Sequence, residues 1–276
     1  MKPYLDFSFI SKEYPTAKGP FVVLDGFNLK IEKGEFVSII GHSGCGKSTV
    51  LMMAAGLNTV THGGIFLENH EVSEPGPDRG VVFQSPSLFP WMSALDNVML
   101  GVRQVFPNAT THQRMDICKY YLERVGLADF YDKKASQMSS GMKQRVGIAR
   151  AFALRPKLLL LDEPFGMLDS LTRAELQEVL LEIWHSEKIT AILVTHDVDE
   201  ALFVSDRVVM MTSGPRAKVG DVLSIPFRRP RLRREVIEHP AYYQNRGYLI
   251  NFLEGQDEIK HSSLTWNETE TAAAVP

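Results

Sequence analysis

The run Gly41-His42-Ser43-Gly44-Cys45-Gly46-Lys47-Ser48 constrains this chain more than any other stretch, because it fits G-x-x-x-x-G-K-[ST]. The strand-like FVSII precedes it and STVLMMAAG, from Ser48 through Thr49 onward, can form a helix. A loop in that setting turns successive backbone N–H groups inward on phosphates, with glycine supplying conformations other residues resist. The positive end of the following helix, which begins near Lys47, adds to the attraction. Lys47 can reach the outer phosphates, and the Ser48 hydroxyl can ligate Mg²⁺. Cys45 fits the loop as a small residue.

Strand-sized apolar runs recur at Phe21–Leu24, Phe36–Ile40, Val81–Phe83, Leu158–Leu161, Ala191–Val194 and Val208–Met211. Helical patterns over Lys47–Ala55, Gln113–Val125, Met142–Leu154, Arg173–His185 and Val198–Val204 separate them. The alternation predicts an α/β fold, a P-loop NTPase core with a mostly parallel sheet flanked by helices. Phe21–Leu24 and Phe27–Ile31 are too close for a crossover, which predicts an N-terminal antiparallel β layer. Between residues 85 and 155 strand signals give way to helix periodicity, an inserted helical subdomain within a domain spanning 1–222. A C-terminal helical extension over 223–255 and a flexible polar tail over 256–276 are expected to follow.

At 276 residues, 44% apolar and 23% charged, the chain has core residues enough for one large domain or two small ones. A formal charge of -3 gives no global cationic field of the kind nucleic-acid binders carry, so no nucleic-acid partner is expected. Two cysteines, Cys45 and Cys118, make neither a disulfide framework nor a metal cluster. No window nears the ~18 apolar residues of a membrane span. A role at a membrane would require docking onto a protein that crosses it. The basic run Arg228–Arg234 reads as a solvated face, with contact to anionic lipid headgroups as the other reading.

The buried run Leu158–Leu161 ends in Asp162 and Glu163. Side chains alternate along a strand, so the two carboxylates point apart. Asp162 is assigned to the metal shell and Glu163 to general base or water positioning at the terminal phosphate. His196 follows another apolar strand, where it is either a structural hydrogen-bonder or a contact to that phosphate.

With these residues in view, Tyr4 to Gly220 resembles the ATP-binding-cassette ATPases. The decisive piece is MSSGMKQR at Met138–Arg145, similar to the family's signature and about fifteen residues before the acid pair. The resemblance implies that Ser139, Ser140, Gly141 and Met142 hold the phosphates of an ATP bound by an opposite subunit, so that two nucleotides are sandwiched in a dimer. Ser140 replaces a glycine of the family pattern; a backbone needing φ > 0 there would weaken that half-site. The resemblance further assigns Tyr14 to adenine stacking, Gln84 to Mg²⁺ and the attacking water, Asp169 to signalling across the dimer, and His196 to the switch histidine.

Ser87-Leu88-Phe89-Pro90-Trp91-Met92 could be core packing of the helical block. The resemblance instead implies a groove for a coupling helix of a membrane permease, anchored by Phe89 and Trp91. GHSGCGKST, MMTSGP at Met210–Pro215 and IPFRRPR at Ile225–Arg231 look like the nitrate-type importers, whose relatives carry bicarbonate, cyanate, or sulfonate and taurine. The expected function is therefore ATP hydrolysis, with ATP and Mg²⁺, coupled to import of nitrate or nitrite. The expected partners are a second ATPase subunit (identical, or fused to a solute-binding domain), transmembrane permease subunits and an extracytoplasmic anion-binding protein. The location would be the cytoplasmic face of a bacterial inner membrane. A soluble cassette ATPase of translation or repair is the rival class; such chains usually carry two cassettes or a long coiled-coil insertion.

Overall fold

Leu158, Leu159, Leu160 and Leu161 are all fully buried, yet they belong to different cores. Leu159 and Leu161 pack in one cluster, Leu158 and Leu160 in the other. Phe36 and Ile40 divide from Val37 and Ile39 in the same way. Because side chains alternate along a strand, a run that is apolar throughout needs cover on both faces, and a helix-flanked parallel sheet supplies it.

The computed structural model describes residues 3–272, with side chains as far as Gln256. The chain opens with strands β1 (Leu5–Thr16), β2 (Gly19–Ile31) and β3 (Phe36–Ile40), then helix α1 (Lys47–Ala54). Strands β4 (His62–Leu67), β5 (His70–Glu71) and β6 (Arg79–Val82) lead into helices α2 (Ala94–Val105), α3 (Thr111–Arg124) and α4 (Ser140–Ala153). The alternating part continues through β7 (Leu158–Asp162), α5 (Ser170–Glu187), β8 (Thr190–Val194), α6 (Val198–Val204) and β9 (Arg207–Met211). Strand β10 (Val219–Ser224) and helices α7 (Arg233–Glu238) and α8 (Ala241–Ala272) follow.

These strands form two sheets. A four-stranded antiparallel sheet runs β2-β1-β4-β5, and a six-stranded sheet runs β10-β9-β3-β8-β7-β6. In the second, only the edge strand β10 is antiparallel. Helices α2, α3 and α4 pack on one another between β6 and β7. Reciprocal capping boxes at Ser93/Asp96 and Thr110/Gln113 fix where α2 and α3 begin.

Four expectations change. Phe21–Leu24 and Phe27–Ile31 are parts of the single strand β2, which bends at Gly26 (φ 68°) and pairs with β1. Helix α4 starts at Ser140 rather than Met142, because Ser139 is its N-cap and accepts the Met142 N–H. The backbone of α8 continues to Ala272 through a segment that lacks apolar periodicity; the side chains of the expected tail beyond Gln256, and its last residues 273–276, lie outside the described residues.

The middle of the basic run is not a solvated face, although its ends, Arg228 and Arg234, are exposed. The Arg231 side chain is 1% exposed. Its guanidinium donates to the carbonyls of Phe203 (2.8 Å), Ser205 (2.7 Å) and Phe227 (3.1 Å). Arg229 pairs with Asp206 at 2.8 Å and lies over the Trp184 ring, and Arg233 lies over Phe203. Three arginines thus fasten the chain after β10 onto α5, α6 and the turn that follows it. Truncating Arg231 to Ala strands those carbonyls without a donor and should cost about 3 kcal/mol of folding stability. Urea unfolding of the two proteins measures this; a loss below about 1 kcal/mol, the worth of one ordinary hydrogen bond, would contradict the assignment.

Candidate active site

Strands β3, β8, β7 and β6 are consecutive in the sheet and parallel, so the loops leaving their C-terminal ends form one edge. Along it stand the Gly41–Ser48 loop after β3, His196 after β8, Asp162 and Glu163 at the end of β7, and Gln84 after β6. Positions 41, 84, 163 and 196 meet because the topology brings four strand ends together.

Gly44 (φ 79°) and Gly46 (φ 104°) take left-handed conformations that let the loop wrap inward. A side chain at Gly46 would also stand 3.0 Å from both Val23 and Leu24. Lys47 is buried, and its ammonium donates to the carbonyls of Gly41 (2.7 Å) and His42 (2.9 Å). An ammonium has three donors, so one remains beyond these two. Cys45 is buried beneath the loop. A cavity of about 320 Å³ opens between Val23, Ser43, Lys47, Ser48, Thr49 and Glu163. A larger cavity, about 1030 Å³, lies between Tyr4, Lys33, Glu35 and Arg207. Its Arg207 and Glu35 are already paired with each other, and it lies at the N-terminal ends of β3 and β9, not at the C-terminal edge.

The Ser48 hydroxyl donates to Asp162 Oδ1 at 2.9 Å. Burial pushes the Asp162 carboxyl above its ordinary range, and the Ser48 hydrogen bond opposes that push. Glu163 differs in backbone. It lies just past β7 with φ 45°, and its N–H donates to the Val194 carbonyl at 2.9 Å. The two carboxylates are therefore separated by a turn into the left-handed region, not by the pleat of a strand. Such a conformation is costly for glutamate and persists only where neighbours enforce it. The result is a junction: Glu163 Oε2 accepts Gln84 Nε2–H at 3.3 Å and lies 3.3 Å from His196 Nδ1.

The remaining sequence-predicted residues lie around this edge. Ser139, Ser140, Gly141 and Met142 form the start of α4. Ser140 is not among the positive-φ residues, so the backbone objection to a side chain there does not arise. Asp169 caps α5 by accepting the Thr172 N–H at 3.0 Å, and that hydrogen bond holds its carboxyl below the ordinary range. A Cβ at Gly141 would stand 2.9 Å from the Thr172 side chain, so the starts of α4 and α5 adjoin. Tyr14 lies on β1, partly exposed, accepting from Asn58 at 2.7 Å with the Lys12 ammonium over its ring. Its cross-strand neighbour Phe21, and not Tyr14, lines a second cavity of about 200 Å³ with Val23, His42 and Gly44. Phe89 and Trp91 form an exposed pair with ring centroids 5.4 Å apart.

Several residues that shape the site carry no motif. Buried Asn97 holds the aromatic turn by accepting the Phe89 N–H at 2.8 Å. Gln144 donates to the Phe83 carbonyl and Arg150 to the carbonyls of Pro86 and Ser87, tying the segment around Gln84 to α4. Glu200 is buried behind His196 and accepts Gln177 Nε2–H at 2.8 Å. A buried polar residue on a helix face was the available signal for Asn97, Gln144 and Glu200.

The fold and this edge define a P-loop domain built to bind a nucleoside triphosphate. Residues 24–166 match the model of the ABC transporter family. The chain is 51% identical over 251 residues to the bicarbonate transport ATP-binding protein CmpD of Synechococcus elongatus, covering 91% of this chain and 90% of that one. It is 50% identical over 250 residues to the nitrate import ATP-binding protein NrtD of Synechococcus elongatus, covering 91% of each. A dimeric post-hydrolysis structure of the ATP-binding cassette MJ0796 bound to ADP and Pi aligns with TM-score 0.73 at 30% identity, covering 81% of this chain and 100% of that one. The chain belongs to the ABC transporter family and is an ATP hydrolase of it.

Glu200 gives the site a pH signature. Burial pushes its carboxyl from 4.5 up to about 7, with hydrogen bonds from Thr195 and Gln177 opposing. Between those values the folded chain holds a proton that the unfolded chain has released, so this group's contribution to stability is full below 4.5 and lost as pH rises to about 7. Glu200→Gln should flatten that part of the profile. Urea midpoints from pH 4.5 to 7.5 check it, and identical slopes for both proteins would contradict it.

Proposed function

We propose that this chain powers the import of a small inorganic anion, nitrate or nitrite, as the ATP-hydrolysing member of a membrane complex. The observation that carries the hydrolytic part is the Glu163 carboxylate, in reach of both Gln84 and His196 at the rim of the phosphate cavity. In this reading the loop amides from Gly41 to Thr49 and Lys47 hold the phosphates. Tyr14 receives the base together with its cross-strand neighbour Phe21, the aromatic that lines the cavity beside the loop. Glu163 takes the proton of an attacking water that Gln84 orients, and His196 contacts the terminal phosphate.

Mg²⁺ fits the residues present. Ser48 and Asp162 offer hard oxygen donors held together at 2.9 Å, and the side-chain carbonyl of Gln84 is a third candidate. Among the described residues no cluster of three or more His, Cys, Asp or Glu could hold a metal by itself. That suits an ion held through one or two carboxylates, with neutral oxygens, phosphate and water completing its shell. When bound, the ion supplies charge neutralisation at the outer phosphates.

Two nucleotides would lie between this chain and a second ATPase subunit, each closed by the other subunit's residues 139–142 with Asp169 alongside. The dimeric form of the MJ0796 cassette supports this arrangement. Residues 85–155, the helical part of the 1–222 domain, would carry motion to transmembrane permease subunits seated on Phe89 and Trp91. Their exposure supports docking over core packing. No helix among the described residues is long and apolar enough to cross a membrane. Similarity to transport ATP-binding proteins supports peripheral attachment on the cytoplasmic face. An extracytoplasmic anion-binding protein would deliver the cargo.

The relatives' names also support a second reading, bicarbonate, since identity to CmpD and to NrtD is nearly equal. Uptake of labelled nitrate and of labelled bicarbonate, before and after deletion of the gene, separates the two. Loss of nitrate uptake with bicarbonate uptake intact is expected. The reverse pattern would replace nitrate by bicarbonate, and loss of neither would overturn the importer assignment.

A further inference from the structure

Helix α8 touches both walls of the nucleotide site. Near its start the Tyr242 hydroxyl and Arg246 Nε each donate to Asp199 Oδ1 at 2.7 Å. Asp199 belongs to α6, the helix entered from the His196 turn. About two turns beyond Arg246, the Leu253 carbonyl lies 2.7 Å from Nε2 of His42, in the phosphate loop. The next contact is made by Gln256, whose side-chain and main-chain oxygens accept the Ser213 N–H and hydroxyl, each at 3.1 Å. Ser213 leads into Gly214, where a Cβ would stand 3.4 Å from the Gly44 carbonyl and 3.5 Å from Cys45. Between these grips, Phe252 lies over Gly220 of β10, so closely that a side chain at 220 would collide with its ring.

Helix α7 adds a further grip. Arg233 donates to Gln177 Oε1 at 2.5 Å, and the other end of the same amide donates to Glu200 behind His196. The extension therefore fixes the two loops between which a triphosphate would lie, one through His42 and Gly214, the other through Asp199 and Glu200. The MJ0796 cassette is wholly covered by 81% of this chain, so the cassette core does not require everything present here.

We infer that the α7–α8 extension is an intramolecular clamp that holds the phosphate loop and the His196 turn in their nucleotide-binding arrangement, so that docking of α8 and binding of ATP are energetically coupled. Holding a loop before its ligand arrives removes part of the ordering cost from binding. Coupling of this kind is reciprocal: nucleotide must tighten α8 by the factor by which docked α8 tightens nucleotide. The inference rests on the nucleotide reading of the Gly41–Ser48 loop. It makes the extension a handle, since anything that lifts α8 off Asp199 and Ser213 lowers nucleotide affinity at a distance.

Amide exchange across residues 246–256 of the full chain, with and without a non-hydrolysable ATP analogue and Mg²⁺, tests it directly. The analogue should slow exchange there about fivefold or more, the lower range for allosteric coupling. In the double variant Arg246→Ala/Gln256→Ala the slowing should vanish and analogue affinity should fall about fivefold. Tyr242→Phe, which keeps the ring and removes one grip, should show a smaller change in the same direction if the double variant does not fold. Analogue that binds the wild-type chain without altering α8 exchange would overturn the clamp alone. A wild-type chain that binds no analogue would overturn the nucleotide reading and the clamp with it.

Discussion

Three neighbouring strands converge on the carboxylate of Glu163. Its own strand β7 delivers it with φ 45°, β6 leads to Gln84, and β8 leads to His196. That convergence depends on the parallel order β3-β8-β7-β6, which the doubly buried leucine, isoleucine and valine runs enforce. The backbone strain at Glu163 is held by its N–H on Val194, so the sheet itself stabilises the unusual conformation. On the proposed reading, sheet order comes first and chemistry follows from it.

The same edge is wired to the helical block. Gln144 and Arg150 lie on α4, whose start is formed by Ser139, Ser140 and Gly141, and they grip the chain on either side of Gln84, at Phe83 and at Pro86 and Ser87. A movement of α4 therefore pulls on a group that touches Glu163. The Phe89–Trp91 turn continues from that segment and is fixed to α2 by Asn97. A continuous path of packed and hydrogen-bonded residues thus runs from the phosphate cavity to an exposed aromatic surface. On the proposed reading, such a path would carry motion from the cavity to a docked partner.

Much of this was legible in the sequence. The phosphate loop, the acid pair and the strands β3, β7, β8 and β9 are local signals: glycine spacing, continuous apolar runs and their polar ends. Helix α2 has a local signature too, a buried apolar stripe of Ala94, Val98, Met99 and Val102 behind a Ser93/Asp96 capping box, interrupted on that face by Asn97. Strands β1 and β4 are mixed in character and are defined by their long-range pairing with each other. The arginines of 228–234 read as solvated because sequence cannot show that backbone carbonyls left by α6 await them. The junction at Glu163 was foreseen in its members but not in its cause, since nothing local in the sequence signals a left-handed glutamate.

Glu163→Gln tests the central claim most directly. The substitution keeps shape and hydrogen-bonding reach while removing the base, so the variant complex should bind ATP with unchanged affinity and release phosphate about 10²–10⁴-fold more slowly. Phosphate release at the wild-type rate, with ATP bound normally, would contradict the assignment of the hydrolytic proton transfer to this carboxylate.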